Sequence, residues 1–270
     1  MKTIFKAVAL TAAMAASPCA SADPARAANC AREPVGTLVL SFDDRNFNDW
    51  LKALPVFDRY GAHVTFFVSG PIDGDAVKVM KELRAHGHSV GLHGLKHANA
   101  DAAIAKKGAE RYFRDDILPQ RESCLTSSIP VTSFAYPNCR FTEESDALFK
   151  AKGFAHVRGG HKGVAPFDPK GVKQAGLKPI HTVDRVFFPA AELGGRFRLD
   201  TVIVGESYHT DIEDILACIR RCAERKEAFV LTSHGIRPKA KGINMKTEWL
   251  ERILATAKEC GVAVVGFDEI

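Results

Sequence analysis

The chain has 270 residues, 46% hydrophobic and 26% charged, with a formal net charge of +5. This is the composition of a folded globular protein, long enough for one α/β domain with a sizeable core or for two small ones, and it argues against disorder beyond the first residues. The basic excess is mild and no basic-aromatic stripe accompanies it, so no nucleic-acid partner is expected.

Lys2 and Lys6 precede an apolar run over 7–16, and Ala20-Ser21-Ala22 offers small residues to a signal peptidase. Residues 1–22 therefore read as a secretory signal peptide, followed by a leader over 23–35. The apolar run is too short to span a bilayer, so an exported protein, periplasmic or secreted, with no membrane span after cleavage is expected. Cleavage removes two lysines and lowers the net charge to +3.

A single domain over 36–270 follows. The first predicted strand, 37–43, is an apolar run that ends in Asp43-Asp44. A helix is predicted from Asn48 as N-cap to Tyr60, stopped by Gly61. A strand over 63–68 leads to a helix opened by Asp73 or Asp75, in which Val77, Met80 and Leu83 keep helical spacing until Gly87. The strand 89–92 runs into His93-Gly94-Leu95-Lys96-His97. A long helix over about 101–118 is predicted to stop before Pro119. Next come a strand over 131–136, a helix capped by Thr142 with Ser145 three positions on, and a strand over 154–158. Residues 159–199, rich in Gly, Pro and isolated hydrophobes, yield no regular element. The chain closes with a strand over 201–204, a helix from Asp211 to Lys226, a strand over 229–233 ending at His234, a helix capped by Thr247, and a strand over 262–265. Strands alternating with helices, without repeat or linker, imply one α/β domain, most simply a barrel or incomplete barrel.

In such a fold the carboxyl ends of the strands line one face, where ligand-binding groups collect. Two imidazoles four apart after one strand and a carboxylate pair after another can bind a divalent metal on one side and leave open positions opposite. Trp50 and Trp249, on predicted helices, are expected to pack. The remaining histidines are expected to be structural or exposed, with His209, after a predicted strand, the one placed to line the pocket. Cys30, Cys124, Cys139, Cys218, Cys222 and Cys260 allow about 15 complete pairings. Structural disulfides or buried thiols are expected in preference to a cysteine metal site, since Cys218 and Cys222 lack a second pair.

Ser41-Phe42-Asp43-Asp44, the segment from His93 to His97 and the strand-end His234, in this order, resemble the polysaccharide deacetylases of carbohydrate esterase family 4, the NodB-homology domain. The resemblance covers about 36–270. It implies a distorted, incomplete (β/α) barrel of the polysaccharide deacetylase type, with fewer strands closed than an eightfold barrel. It implies Asp43 as catalytic base, Asp44, His93 and His97 as metal ligands, His234 as general acid, and the backbone N–H of Asn138 as oxyanion donor. The metal implied is a divalent cation, Zn2+ first, with Co2+, Ni2+ or Mn2+ fitting similar ligands. The implied substrate is an acetylated glycan, N-acetyl before O-acetyl. Two positions of the third motif depart from the family, one of them Asn138, which stands where an aromatic is usual. Ala135 stands where an arginine usually braces the catalytic aspartate; Arg140, Arg158 or Arg185 is available instead, and Arg158 is preferred for its place on the fifth strand. The family's fourth motif is not evident, and Asp184 is the candidate partner for His234. The Ala135 departure also motivates a rival reading, a glycan-binding protein that has lost turnover; a third reading is a hydrolase of non-glycan amides or esters.

Overall fold

The computed structural model describes residues 35–161, 179–208 and 210–270. The elements run β1 (Thr37–Asp44), α1 (Phe47–Tyr60), β2 (Thr65–Val68), α2 (Gly74–Ala85), β3 (Ser89–Leu92), α3 (Ala100–Lys107), α4 (Ala109–Tyr112), α5 (Leu118–Thr126), β4 (Ser133–Ala135) and α6 (Glu143–Ala151). They continue with β5 (His156–Gly160), β6 (Phe187–Pro189), β7 (Arg198–Ile203), α7 (Ile212–Arg225), β8 (Glu227–Ser233), β9 (Ile236–Arg237), β10 (Met245–Lys246), α8 (Thr247–Glu259) and β11 (Ala263–Val265).

Seven parallel strands close on themselves in the order β1, β2, β3, β4, β5, β7, β8, and back to β1, where six residue pairs from Thr37↔Ala228 to Phe42↔Ser233 seal the barrel. The barrel is one strand short of eight, as the resemblance implied. Two short strands fill its lower half. β11 lies parallel to the start of β1, and β6 lies antiparallel to the start of β8.

Alternation along β1 explains why Leu38, Val39 and Leu40 are apolar without a break. Leu38, Leu40 and Phe42 belong to the layer beneath the helices, while Val39 belongs to a second cluster with Phe67, Ala135, Leu199, Val230 and Phe267. A parallel strand covered on both faces must be hydrophobic on both. Each outward residue is fully buried, contributing about 1.5–3 kcal/mol to stability. Gly91 on β3 makes room for this filling: a β-carbon there would meet the Phe67 ring at 2.5 Å. Above the apolar plug the residues on the Val39 side of the strands turn polar, with Ser41, Thr232, Arg158 and Asp43 all buried.

Several caps stand where the sequence puts them. Gly61 ends α1 in the left-handed region, Asp73 accepts from Ala76 N–H, Thr142 and Ser145 form a reciprocal capping box, and Asp211 accepts from Glu213 N–H. At two helices the boundary moves: by two residues at α1, which starts at Phe47 with Asn46 as N-cap, and by one at α8, where Thr247 is the first residue, after Lys246. Strand four is shorter than expected, and the strand expected over 201–204 spans Arg198–Ile203.

The larger correction concerns the helix predicted to stop before Pro119. α3 ends at Gly108, whose φ of 81° breaks the run, and the chain then continues as α4, a π turn at Phe113–Ile117, and α5. Pro119 sits in the first turn of α5, where an N–H is not required, and the wider π turn before it absorbs the clash between its ring and the preceding carbonyls.

The five described cysteines, Cys124, Cys139, Cys218, Cys222 and Cys260, are free thiols, three of them buried; Cys30 lies outside the described residues, as do 1–34 and His209. Trp50 is fully buried and Trp249 packs against the core. Among the described residues no helix is long and apolar enough to cross a membrane.

Candidate metal and hydrolytic centre

The carboxyl ends of β1, β3, β5 and β8 bring six of the candidate residues, Asp43, Asp44, His93, His97, Arg158 and His234, to one mouth of the barrel. Asp43 points into the lumen and Asp44 turns away, because the strand breaks there: Asp44 has φ 81°, and the next side chain, Arg45, is held by Ser69 O, Pro71 O and the Asp73 carboxylate. Asn46 donates to Asp43 O at 3.1 Å and secures the turn.

His93 leaves β3 with its ring buried, and its N–H bonds to Val68 O at 2.9 Å. Its Nδ1–H donates to Ala135 O at 2.8 Å, which leaves the Nε2 lone pair facing the mouth. His97 brings its own Nε2 to 3.1 Å from that of His93 and to 3.6 Å from Asp44 Oδ1. Asp44 Oδ1 lies 3.8 Å from His93 Nε2. One donor atom from each of Asp44, His93 and His97 thus falls within 4.8 Å of the others, and these three form the one such group among the described residues. Two imidazole nitrogens and a carboxylate with one exposed side fit a divalent cation of the zinc class; without an ion, the two ε-nitrogens are close enough to share a hydrogen bond.

Asp43 lies beside this group, its Oδ2 3.7 Å from His93 Nε2. Arg158 grips it with two parallel bonds, Nη1 to Oδ1 and Nη2 to Oδ2, both 2.7 Å. Arg158 is 1% exposed, and Nη1 is also placed by Thr232 Oγ1 at 2.5 Å and Ser41 Oγ at 3.2 Å. Burial pushes the Asp43 carboxyl up, but the Arg158 charge and hydrogen bonds, with His93 and His234 nearby, more than offset it and hold the carboxyl at about 2. Burial depresses His93, partly countered by Asp43, which keeps its imidazole neutral. Arg158 thus occupies the bracing place left by Ala135. Arg140 is engaged elsewhere, with Asp101 at 2.6 Å.

His234 follows β8, its Nε2 3.8 Å from Asp44 Oδ2 and its Nδ1–H donating to Ile243 O at 3.3 Å. Trp50 Nε1–H donates to His234 O at 3.0 Å, so the expected packing tryptophan also anchors this loop. Asp184 does not join His234. It is 86% exposed and pairs with Arg221 at 2.9 Å. The chain after it forms β6, which pairs with the start of β8, at the end of the barrel opposite His234. A backbone carbonyl takes the place expected for a carboxylate.

Asn138 sits in a short 3-10 turn after β4 with φ 52°, and its side chain donates to Asn99 Oδ1 at 2.8 Å. A groove of about 870 Å³ opens beside the mouth at Arg45, Asn46 and Arg237 and runs between α1 and α2 past Leu54 and Val79.

Sequence reasoning missed Ser41 and Thr232, whose hydroxyls steer Arg158, and Asp116, a buried carboxylate on the π turn. Ser41 lies inside the motif quoted above. Thr232 and Asp116 carry no local signal, since their partners are 74 and 20 residues away.

Residues 31–157 match the family model described as polysaccharide deacetylase. No curated protein matches the chain. Among solved structures, a family 4 carbohydrate esterase from Streptococcus mutans is 17% identical with a TM-score of 0.54, over 85% of this chain and 86% of that one. A family 4 carbohydrate esterase from Bacillus subtilis is 17% identical with a TM-score of 0.52, over 87% and 80%. A family 4 pseudoenzyme from Bacillus anthracis is 15% identical with a TM-score of 0.53, over 88% and 66%. At these identities the structural likeness concerns the barrel.

Proposed function

We propose that this chain, whose residues 31–157 match the polysaccharide deacetylase family model, is a metal-dependent hydrolase that removes acetyl groups, N-linked before O-linked, from an acetylated glycan. The observation that carries the reading is the convergence of Asp44, His93 and His97 beside a buried, arginine-braced Asp43.

Asp44, His93 and His97 would hold the cation, Zn2+ first and Co2+, Ni2+ or Mn2+ as alternatives. A divalent ion there supplies Lewis acidity toward the acetyl carbonyl and makes water easier to deprotonate. Asp43, ionised and held in one orientation by Arg158, accepts the proton of the attacking water. The N–H of Asn138 donates to the oxygen on which negative charge develops. His234, with Nδ1–H on Ile243 O, directs Nε2 toward the mouth and in its protonated form delivers a proton to the departing nitrogen. The Arg158–Asp43 contact supports turnover over a glycan-binding role without it, since the Ala135 departure that motivated the latter is answered from another strand. The segment 1–22 supports export, and the groove beside the mouth offers a path for a longer glycan.

The test is acetate release from a panel of N-acetylated chitin-like and peptidoglycan oligosaccharides, O-acetylated xylan and small acyl amides and esters. Asp43→Asn and His93→Ala are the controls. Release from N-acetylated sugars that both variants abolish supports the reading. Turnover unchanged in either variant refutes the mechanism, and activity on small acyl compounds alone refutes the glycan assignment.

A further inference from the structure

Residues 94–96 span the gap between the two histidines, and the whole segment 94–98 lies outside any helix or strand. Gly94 has φ 83° and His97 has φ 50°, a left-handed conformation that costs a side-chain-bearing residue about 1–2 kcal/mol. The bracing comes from one residue on another element. Asp116, fully buried on the π turn between α4 and α5, accepts Leu95 N–H on its main-chain oxygen at 2.8 Å. Its carboxylate accepts Lys96 N–H on Oδ1 and Ala98 N–H on Oδ2, the latter at 3.4 Å. The two carboxylate bonds flank His97 on both sides.

The surroundings fit the same purpose. A β-carbon at residue 94 would stand 3.1 Å from Asp116 Oδ2, so the bare glycine lets the carboxylate approach. One turn further along, Gln120 is buried and its Nε2 donates to Val68 O at 3.0 Å and Gly70 O at 2.6 Å. Val68 O also receives the His93 N–H, and Gly70 N–H bonds Gly94 O, each at 2.9 Å. One helix face therefore holds the backbone on either side of both imidazoles.

We propose that Asp116 is a positioning residue of the metal centre, holding His97 in its ligand conformation opposite His93 through the peptide groups on either side. This rests on the metal-centre reading above. A carboxylate fixed behind a ligand loop removes the freedom the loop would otherwise lose on binding, and supporting groups of this kind are worth about 10- to 100-fold in metal affinity.

The experiment titrates metal-free wild-type, Asp116→Ala and Asp116→Asn proteins with Zn2+ and with Co2+ by calorimetry. Thermal unfolding of the metal-free forms and amide hydrogen exchange at Lys96 and Ala98 accompany it. Asp116→Ala is expected to weaken Kd about 10- to 100-fold with faster exchange at both amides. Asp116→Asn, which keeps one acceptor, is expected to fall between. A Kd within twofold of wild type, with only a lower unfolding temperature, makes Asp116 purely structural and overturns the proposal. If Asp116→Ala does not fold, Asp116→Asn is read by the same criterion. A wild-type protein that binds neither metal defeats the metal-centre reading and this proposal together, whereas binding by wild type with no loss in the variants defeats this proposal alone.

Discussion

Replacing Arg158 with Met keeps the bulk over the Phe67 ring, 5.3 Å from the guanidinium carbon, and removes the charge that Asp43 faces. Both partners are almost fully buried, with side chains 1% and 4% exposed, so solvent screens the pair little. Breaking such a pair from one side leaves a buried carboxylate uncompensated, at a cost of about 3–5 kcal/mol. In a domain of this size that is roughly 6–20 °C in unfolding temperature. The loss grows with the ionisation of Asp43. In the intact protein its carboxyl sits near 2 against an ordinary 3.8, so its contribution is complete above pH 3.8 and is lost as pH falls toward 2. From the size of that shift it is worth about 2 kcal/mol. Arg158→Met abolishes this contribution and adds the desolvation cost of the stranded charge. Urea unfolding of the metal-free protein at pH 7 measures the effect, in a cycle with Asp43→Asn and the double variant. The double variant is expected to regain part of the loss, with a coupling of about 2 kcal/mol or more. A single-variant loss below about 1 kcal/mol, the value of an exposed pair, or strict additivity in the cycle refutes the claim that Arg158 and Asp43 form one buried unit.

Dialysis against a chelator is expected to stop acetate release, and Zn2+ or Co2+ to restore it; Zn2+ at about 100 times its Kd raises stability by about 2.7 kcal/mol, read as a rise in unfolding temperature. His88 is buried among Phe57 and Phe66 and accepts Val64 N–H on Nδ1, and burial holds its pKa at about 4 against an ordinary 6.5. Its neutral form therefore favours folding above pH 6.5, and that contribution falls away between 6.5 and 4; His88→Asn is expected to flatten this limb of the stability curve by at most about 3 kcal/mol, measured by urea unfolding at stepped pH. His234→Asn is expected to lower kcat about 10²- to 10⁴-fold, whereas Asp184→Asn, on the Arg221 side of the barrel, leaves kcat and KM unchanged; a large kcat loss in the latter would return Asp184 to the site.

Much of the barrel is legible in local pattern. A strand buried on both faces carries apolar residues on both, and β1, β2 and β8 show such a run; helix ends marked by Gly61, Asp73, Thr142 and Asp211 depend on bonds within a few residues. The helix around Pro119 was misread because a proline's effect depends on the turn before it, and a π turn has no local signature. β6 was not foreseen because three residues pair with a strand forty positions away, and such pairing is a property of the closed barrel.

The same division runs through the site. Asp43, Asp44, His93 and His97 were readable because each pair sits within four residues at a strand end, and strand ends share one face of a parallel barrel whatever the details of closure. The partners of those groups were another matter. The arginine was open among three positions until the lumen set Arg158 against Asp43, 115 residues apart, and Asp184 was assigned to His234 when a sheet pairing carries it to the other end of the molecule. Sequence determines the chemical groups and the strand ends that present them, because these follow from covalent neighbours and periodicity. Which buried charge is neutralised by which partner is decided by tertiary structure, because only closure brings distant side chains into a dry interior where an ion must be paired.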